Sequence, residues 1–358
     1  LVFLVDKPRY KKFSSITSTL LATMECRCPV TFSPLKKEEN DELMTNFVPG
    51  HEGFVRGDPG GLIMTIPFDD IKDEIYNMEL RADDVWVVTY PKCGTTWTQE
   101  LVWLLMNNLD FETASRTSVM ARIPFLEFGS LLPTHIFENM KKMAEETGIR
   151  TFAPTIEDVD QIPRDRPRVL KSHLPLSVLP PKLLEKNKLV YVARNPKDVV
   201  VSFYYHHKLI LGHGFTGGFP EFFDCFLKDL ILCSPYWPHI LEAYSKRSDP
   251  NMCFVFFEDM KRDFPKEIRK IAKFLEKELT DEDVDRLANF LDFKNSKQRW
   301  DPFEEKIKES GGFNKSGSFF RKGEVGDYKN HFDDEMERRM NEWIRENLKD
   351  TDFKFPEY

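Results

Sequence analysis

VWVVTYPKCGTTWTQELVWLL, residues 85–105, decides how this chain reads. Val85 to Tyr90 is a dense β-branched and aromatic run, the pattern of a buried strand. Thr95 to Asn108 reads as a helix. Thr96-x-x-Gln99 matches a capping box, and Leu101, Leu104, Leu105 and Asn108 mark a mostly apolar face. The loop between them departs from G-x-x-x-x-G-K-[ST], because Lys92 precedes Gly94 and no second glycine is present. Strand, loop and helix still make an anion site in principle. The first N–H groups of a helix lack intrahelical partners, and the helix dipole adds positive potential there. Thr95 and Thr96 add hydroxyls, Lys92 adds a full charge, and Gly94 permits close backbone approach. An ordinary strand–helix turn capped by threonine is the plainer reading of the same residues.

The pattern repeats outward from this stretch. Arg168 to His173 is a second short strand, stopped by Pro175, and Lys188 to Ala193 is a third. Pro196 suits the first turn of the helix that follows, and Cys253 to Phe257 is a fourth strand. Helical patterns fill 265–277, 281–291 and 333–348. Alternating strands and helices predict an α/β fold, with a central parallel sheet flanked by helices. Two stretches break the alternation. Residues 129–167 hold a helix, Ile136–Glu146, and then a loop rich in Pro, Asp and Arg; residues 310–328 are glycine-rich and basic. Long loops in a compact domain are usually lids or binding loops. No Pro/Gly/Ser linker divides the chain. The expected organisation is a flexible leader over 1–40 and one domain over 41–358, with 129–167 as a lid.

Three more segments carry candidate chemistry. In VYVARNPKDVVVS, residues 190–202, Arg194 stands at the carboxyl edge of a strand, where open α/β sheets bind ligands. Ser202 follows about two helical turns later and can reach the same side. In LKSHLP, residues 170–175, Lys171 and His173 are two apart and share one face of a strand. A neighbouring lysine favours the neutral, base-competent imidazole. In SFFRKGEVGDYKNHF, residues 318–332, Arg321, Lys322 and Gly323 can clamp a phosphate. A salt-bridged arginine, a structural histidine and a solvated basic turn are the plainer readings. Together the segments imply a small ligand with more than one anionic group.

Composition sets the limits. The chain has 358 residues, 41% hydrophobic and 31% charged, which suits a globular protein able to bury a core. A formal charge of −8 argues against a general nucleic-acid binder. Cys26, Cys28, Cys93, Cys225, Cys233 and Cys253 form no C-x-x-C and no zinc spacing, so no metal site is expected and the thiols read as reduced and cytoplasmic. No apolar run is long enough to span a membrane. The opening LVFLVDKPRYKKFSSITSTLLAT reads as a leader or an open-frame artefact with Met24 as a natural start, or as a transit peptide.

With these motifs in this order, the chain resembles the cytosolic sulfotransferases. TYPKCGTTW is similar to the family's TYPKSGTTW loop for the 5′-phosphosulfate, and KSHLP to the KTHLP segment with the catalytic histidine. RNPKDVVVS resembles the 3′-phosphate segment, and FFRKGEVGDYKNHF the C-terminal RKGxxGDWKN loop. NMELRADDVWVV, TQELVWLL and ENLKDTDFKFP look like the insect branch that includes retinol dehydratase. The resemblance implies a P-loop-like fold and sulfuryl transfer from 3′-phosphoadenosine 5′-phosphosulfate (PAPS) to a hydroxyl or amine, with PAP as product and no metal. By motif, Lys92, Cys93, Gly94, Thr95 and Thr96 hold the phosphosulfate, while Arg194, Ser202, Arg321, Lys322 and Gly323 hold the 3′-phosphate. Trp97, Phe257 and Phe293 belong to the nucleotide's surroundings, and Phe125, Phe128, His173 and His213 to the acceptor's. His173 is then the base, Lys92 stabilises the leaving phosphate oxygen, and Lys171 lies beside the transferred group.

The departures carry their own expectations. Cys93 replaces the usual serine; beside a lysine and a helix N-terminus it is expected to have a lowered pKa and to be reactive. Phe257 and Leu291 each lack a hydroxyl that the family often has, and Tyr328 replaces a tryptophan. In the dimer motif K-x-x-x-T-V-x-x-x-E only Lys329 fits; Asp333, Asp334 and Arg338 replace the rest, so a homodimer through that motif is in doubt. The segment between Phe128 and Arg168 is longer than in the common vertebrate members. An aromatic pocket suits phenols, steroids or retinoid-like alcohols as small-molecule acceptors. The rival readings are a dehydratase that sulfonates and then eliminates, a nucleotide kinase, and a non-catalytic PAPS- or lipid-binding protein. A kinase would need a Walker lysine after glycine and magnesium ligands, neither of which is visible.

Overall fold

The structure is a computed structural model that describes residues 27–49, 51–147 and 152–357. Three strands near the start, β1 (Thr31–Pro34), β2 (Phe54–Asp58) and β3 (Ile63–Thr65), form an antiparallel sheet in the order β1-β2-β3. Four more, β4 (Val85–Thr89), β5 (Val169–Ser172), β6 (Lys188–Ala193) and β7 (Met252–Phe256), form a parallel sheet in the order β5-β4-β6-β7. The parallel register sets Val85 against both Val169 and Lys188, and Leu189 against Met252.

Period-two alternation sorts the sheet's side chains to two apolar layers. Trp86, Val88, Leu170, Leu189 and Tyr191 pack on one side with Val199, Phe203, Phe222 and Trp237. Val85, Val87, Val169, Val190 and Val255 pack on the other with Leu101, Leu104, Ile268, Ile271 and Leu287. Both faces are covered, so β4 reads as a continuous apolar run with all five residues buried.

The strands and helices fall close to their expected places, with four corrections. The 1–40 leader is overturned in its second part: Thr31–Pro34 pairs with β2, and Cys28, Val30 and Leu35 are buried against the core. The first part, with Cys26, Met24 and the transit-peptide reading, lies outside the described residues. The Thr96 capping box does not form, because the helix begins at Thr95 with Gly94 as its N-cap at φ 101°. The helix ends at Met106, and Asn108 turns away with φ 52°. Phe257 leaves the strand and opens a short helix, Phe257–Arg262.

The departures from the dimer motif have local roles. Asp333 caps the Asp334–Leu348 helix by accepting from the Met336 N–H, and Arg338 pairs with Glu335 and Glu342 on that helix. No helix among the described residues is long and apolar enough to cross a membrane.

Candidate active site

The carboxyl ends of the four parallel strands deliver the chemistry to one place. β4 ends into the Lys92–Gly94 loop, β5 into His173, β6 into Arg194 and β7 into Phe257. This is the edge where open α/β sheets bind ligands. A cavity of about 960 Å³ lies over it. Lys92, Gly94, Thr95, Thr96, Trp97, Phe125, Phe128, Lys171, His173, Arg194, Ser202, His213, Phe257, Phe293, Arg321, Lys322 and Gly323 all line it. Of the site residues expected from sequence, Cys93 alone does not.

The loop after β4 is shaped for an anion. Lys92 has φ 68°, an uncommon conformation for a side chain with a Cβ, and Gly94 has φ 101°. A Cβ on Gly94 would come within 2.8 Å of Phe257 Cδ2. No side chain caps the Thr95–Met106 helix, so its first N–H groups stay available. The Thr89 and Thr95 hydroxyls bond to each other at 2.6 Å. Burial pulls the Lys92 ammonium down to about 7, helped by Lys171, Arg194 and Arg321. Cations crowded this closely mark a site built to receive negative charge.

Cys93 is not the reactive thiol expected from its neighbours. Its side chain is fully buried, with Sγ toward the Pro91 carbonyl at 3.8 Å. Burial pushes its thiol well up, against the smaller pull of Arg194. The expected reactive thiolate is absent because desolvation outweighs the nearby positive charge.

The second anion subsite gathers around Arg194. Its Nη1 donates to the Lys92 carbonyl at 3.2 Å and its Nη2 to the Glu324 carbonyl at 2.7 Å. Its Nε is buried with no hydrogen-bond partner among the described residues, and its guanidinium lies 4.1 Å over the Phe257 ring. Arg321 and Lys322 pair with Asp327 at 2.7 and 2.5 Å. Asp198 Oδ2 and Oδ1 accept from the Gly326 and Tyr328 N–H groups at 2.7 and 3.1 Å, pinning this loop to the Pro196–Leu209 helix. At Gly323, φ is 65° and a Cβ would meet Phe293 Cδ2 at 2.4 Å. Trp97 packs on Phe264 with ring centroids 4.3 Å apart. Orphaned guanidinium nitrogen, open helix N–H groups and two glycine cradles fit a nucleotide with two separate anionic groups.

His173 is held in one tautomer. Its Nδ1 donates to the Thr89 carbonyl at 2.8 Å, since a carbonyl can only accept. That leaves the lone pair on Nε2. Burial depresses the imidazole well below its usual range, and Lys171 adds to the effect. The expected direction holds, but desolvation is the larger cause. The His239 Nε2–H donates to the His173 carbonyl at 2.9 Å, and the Tyr191 hydroxyl bonds His239 Nδ1 at 2.6 Å. Lys171 Nζ lies 3.5 Å over the Phe125 ring, whose edge meets the His173 ring at 5.2 Å.

Beyond the histidine the cavity turns apolar. Phe128 packs on Phe125 and Phe152, and the Thr134–Thr147 helix adds Ile136, Met140 and Met143 to the lining. Three residues beside Lys92 and His173 escaped the sequence reading. His206 Nδ1 lies 3.4 Å from Lys92 Nζ, His239 braces His173, and Glu127 is a fully buried carboxylate. A lone glutamate in RIPFLEF was the available signal for Glu127.

Comparison with known proteins agrees with this geometry. The sulfotransferase domain matches residues 82–352. Luciferin sulfotransferase of Photinus pyralis is 33% identical over 80% of this chain and 78% of its own length. Sulfotransferase 1E1 of Homo sapiens is 31% identical over 82% of this chain and 94% of its own. The structure of retinol dehydratase in complex with androsterone and the inactive cofactor PAP superposes with a TM-score of 0.84 at 35% identity, covering 92% of this chain and 99% of that one. With an anion-shaped loop, a neutral histidine and these relatives together, the chain belongs to the PAPS-dependent sulfotransferase family.

Proposed function

We propose that this enzyme transfers the sulfuryl group to the hydroxyl of a small, largely apolar acceptor such as a phenol, steroid or retinoid-like alcohol, with His173 as the base. The Nδ1–Thr89 carbonyl bond carries this reading, because it leaves Nε2 as the proton acceptor on a ring that lines the cavity. PAPS, when bound, supplies the sulfuryl group and a phosphate leaving group. Lys92, Thr95, Thr96 and the open helix N–H groups would hold its phosphosulfate, with Cys93 taking part only through its backbone. Arg194, Ser202, Arg321, Lys322 and Gly323 would hold its 3′-phosphate, with Trp97, Phe257 and Phe293 around the base.

The chain's own residues then divide the work. His173 Nε2 takes the acceptor proton, a contribution of roughly 10²–10⁴ in rate for a positioned base. Lys92 meets charge growing on the leaving oxygen, and Lys171 meets the sulfuryl oxygens. Phe125, Phe128 and His213 surround the acceptor, and the Thr134–Thr147 helix of the 129–167 stretch covers it, as the lining by Ile136 and Met140 supports.

The test is a labelled-PAPS assay against phenols, steroids and retinoids. Transfer by the wild type and a loss of at least ~10² in kcat for His173→Ala, with PAP binding kept, is the expected result. Near-normal turnover in that variant removes His173 from the mechanism. The likeness to retinol dehydratase also favours a second reading, sulfonation of an allylic alcohol followed by elimination. Product mass from the retinol incubation separates a sulfate ester from an anhydro product.

A further inference from the structure

Glu127 is 0% exposed and sits where no charge is expected, in the apolar segment RIPFLEF. That segment runs alongside β5: the Lys171 N–H donates to the Pro124 carbonyl at 2.9 Å and the Leu126 N–H to the Lys171 carbonyl at 3.3 Å. Both carboxylate oxygens of Glu127 are engaged. Oε1 accepts the backbone N–H of His173, and Oε2 accepts the Ser172 hydroxyl at 3.0 Å. Ser172 Oγ in turn accepts the Leu174 N–H at 3.0 Å. One side chain therefore holds Ser172 and His173 directly, and Leu174 through Ser172, at the end of the strand that presents the histidine. The carbonyl of Glu127 accepts from both the N–H and the hydroxyl of Ser130, which fixes its own backbone.

The charge of this group has a second use. Ionisable groups in the field of the Lys171 ammonium are Glu127, Cys233, His173, Lys92 and His206. Glu127 is the carboxylate in that set; the others are cationic or neutral when the site is ready. Burial pulls Lys171 down to about 8 and pushes Glu127 up to about 7, so the carboxylate carries its charge above about pH 7 and there opposes the fall of Lys171.

We propose that Glu127 is a positioning residue for sulfuryl transfer: its carboxylate fixes the backbone that aims His173, and it supplies the counter-charge that keeps Lys171 an ammonium. The inference rests on His173 and Lys171 acting as described under the proposed function. A structural carboxylate alone would hold the chain together without touching the alkaline limb. A counter-charge must move it.

The experiment compares Glu127→Gln and Glu127→Asp with the wild type by kcat/KM across pH 6–10 and by PAP binding at pH 6.5. Glutamine keeps an acceptor for the His173 N–H and loses the charge. Its alkaline limb is expected to move down by about one pH unit or more, with PAP affinity unchanged. Aspartate keeps the charge and loses the reach. Its limb is expected to stay while kcat falls roughly 10-fold or more, since a misplacement of about 1 Å can cost 10². A glutamine profile that overlays the wild type overturns the proposal, as does an aspartate limb that moves with the glutamine one. If the glutamine variant does not fold, the aspartate variant decides alone, and wild-type kcat in it overturns the proposal. Full activity in His173→Ala would sink the underlying reading instead, so the two failures are distinguishable.

Discussion

At the residue scale, Gly323 shows how a single missing Cβ makes room for a neighbouring ring. A side chain there would sit 2.4 Å from Phe293 while the backbone holds φ 65°. The left-handed conformation alone costs a non-glycine residue roughly 1–2 kcal/mol. Gly323→Ala is expected to displace Phe293 and weaken PAP binding by about tenfold or more, while leaving the core intact. Calorimetric titration with PAP checks it, and wild-type affinity would mean that this glycine is no part of the cradle. Cys93 makes the opposite point. A lysine and a helix start nearby suggested a reactive thiolate, and complete burial reversed the outcome. Neighbours along the chain state which charges are near; they do not state how much water remains.

At the element scale, the basic loop over 318–332 works because a helix on another part of the chain holds it. Asp198, in the first turn of the Pro196–Leu209 helix, accepts the Gly326 and Tyr328 N–H groups. The same helix carries Ser202 into the cavity, so one element positions both Ser202 and the loop with Arg321, Lys322 and Gly323 along its lining. Asp198→Ala leaves two part-buried donors without their partner, a cost of at most about 1–3 kcal/mol each. The expected outcome is a loosened loop, PAP affinity reduced by roughly 10-fold or more, and a smaller loss at pH-independent steps on the acceptor side. Proteolysis of the loop with and without PAP reads the first effect, and titration reads the second. Unchanged PAP affinity would show that the loop keeps its place without Asp198.

At the scale of the whole molecule, the fold forces cations together at the carboxyl edge of the parallel sheet. Burial and the neighbouring Lys171, Arg194 and Arg321 pull Lys92 down to about 7 from the ordinary lysine value. A lysine with a depressed pKa is charged below that value and loses its charge as pH rises through it. An anionic ligand selects the charged form, so PAP affinity is expected to be greatest below pH 7 and to decline above it. The decline reaches at most ~tenfold per pH unit for one proton. Titration across pH 6–9, in buffers of different ionisation heats, should also show proton uptake on binding. A flat affinity with no proton uptake would mean that Lys92 remains charged throughout.

How much of this was legible in the chain follows from the range of the forces involved. β4, its loop and its helix are contiguous, and their patterns stand in one stretch, Val85–Met106. The segments after β4, β5 and β6 were readable in the same way, because each pairs a strand end with a basic residue; the segment over 318–332 follows a helix and was readable only from its basic and glycine residues. The antiparallel sheet was not, since β1 and β2 are separated by a helix and their pairing is not a local pattern. Nor was the tautomer of His173, which depends on the carbonyl of Thr89, 84 residues away in sequence. Glu127, His206 and His239 escaped for the same reason: each acquires its meaning only from a partner brought to it by the parallel sheet. Residue chemistry and local period are short-range and survive in one dimension. Burial, and with it the pKa of every group in the cavity, is a property of the packed whole.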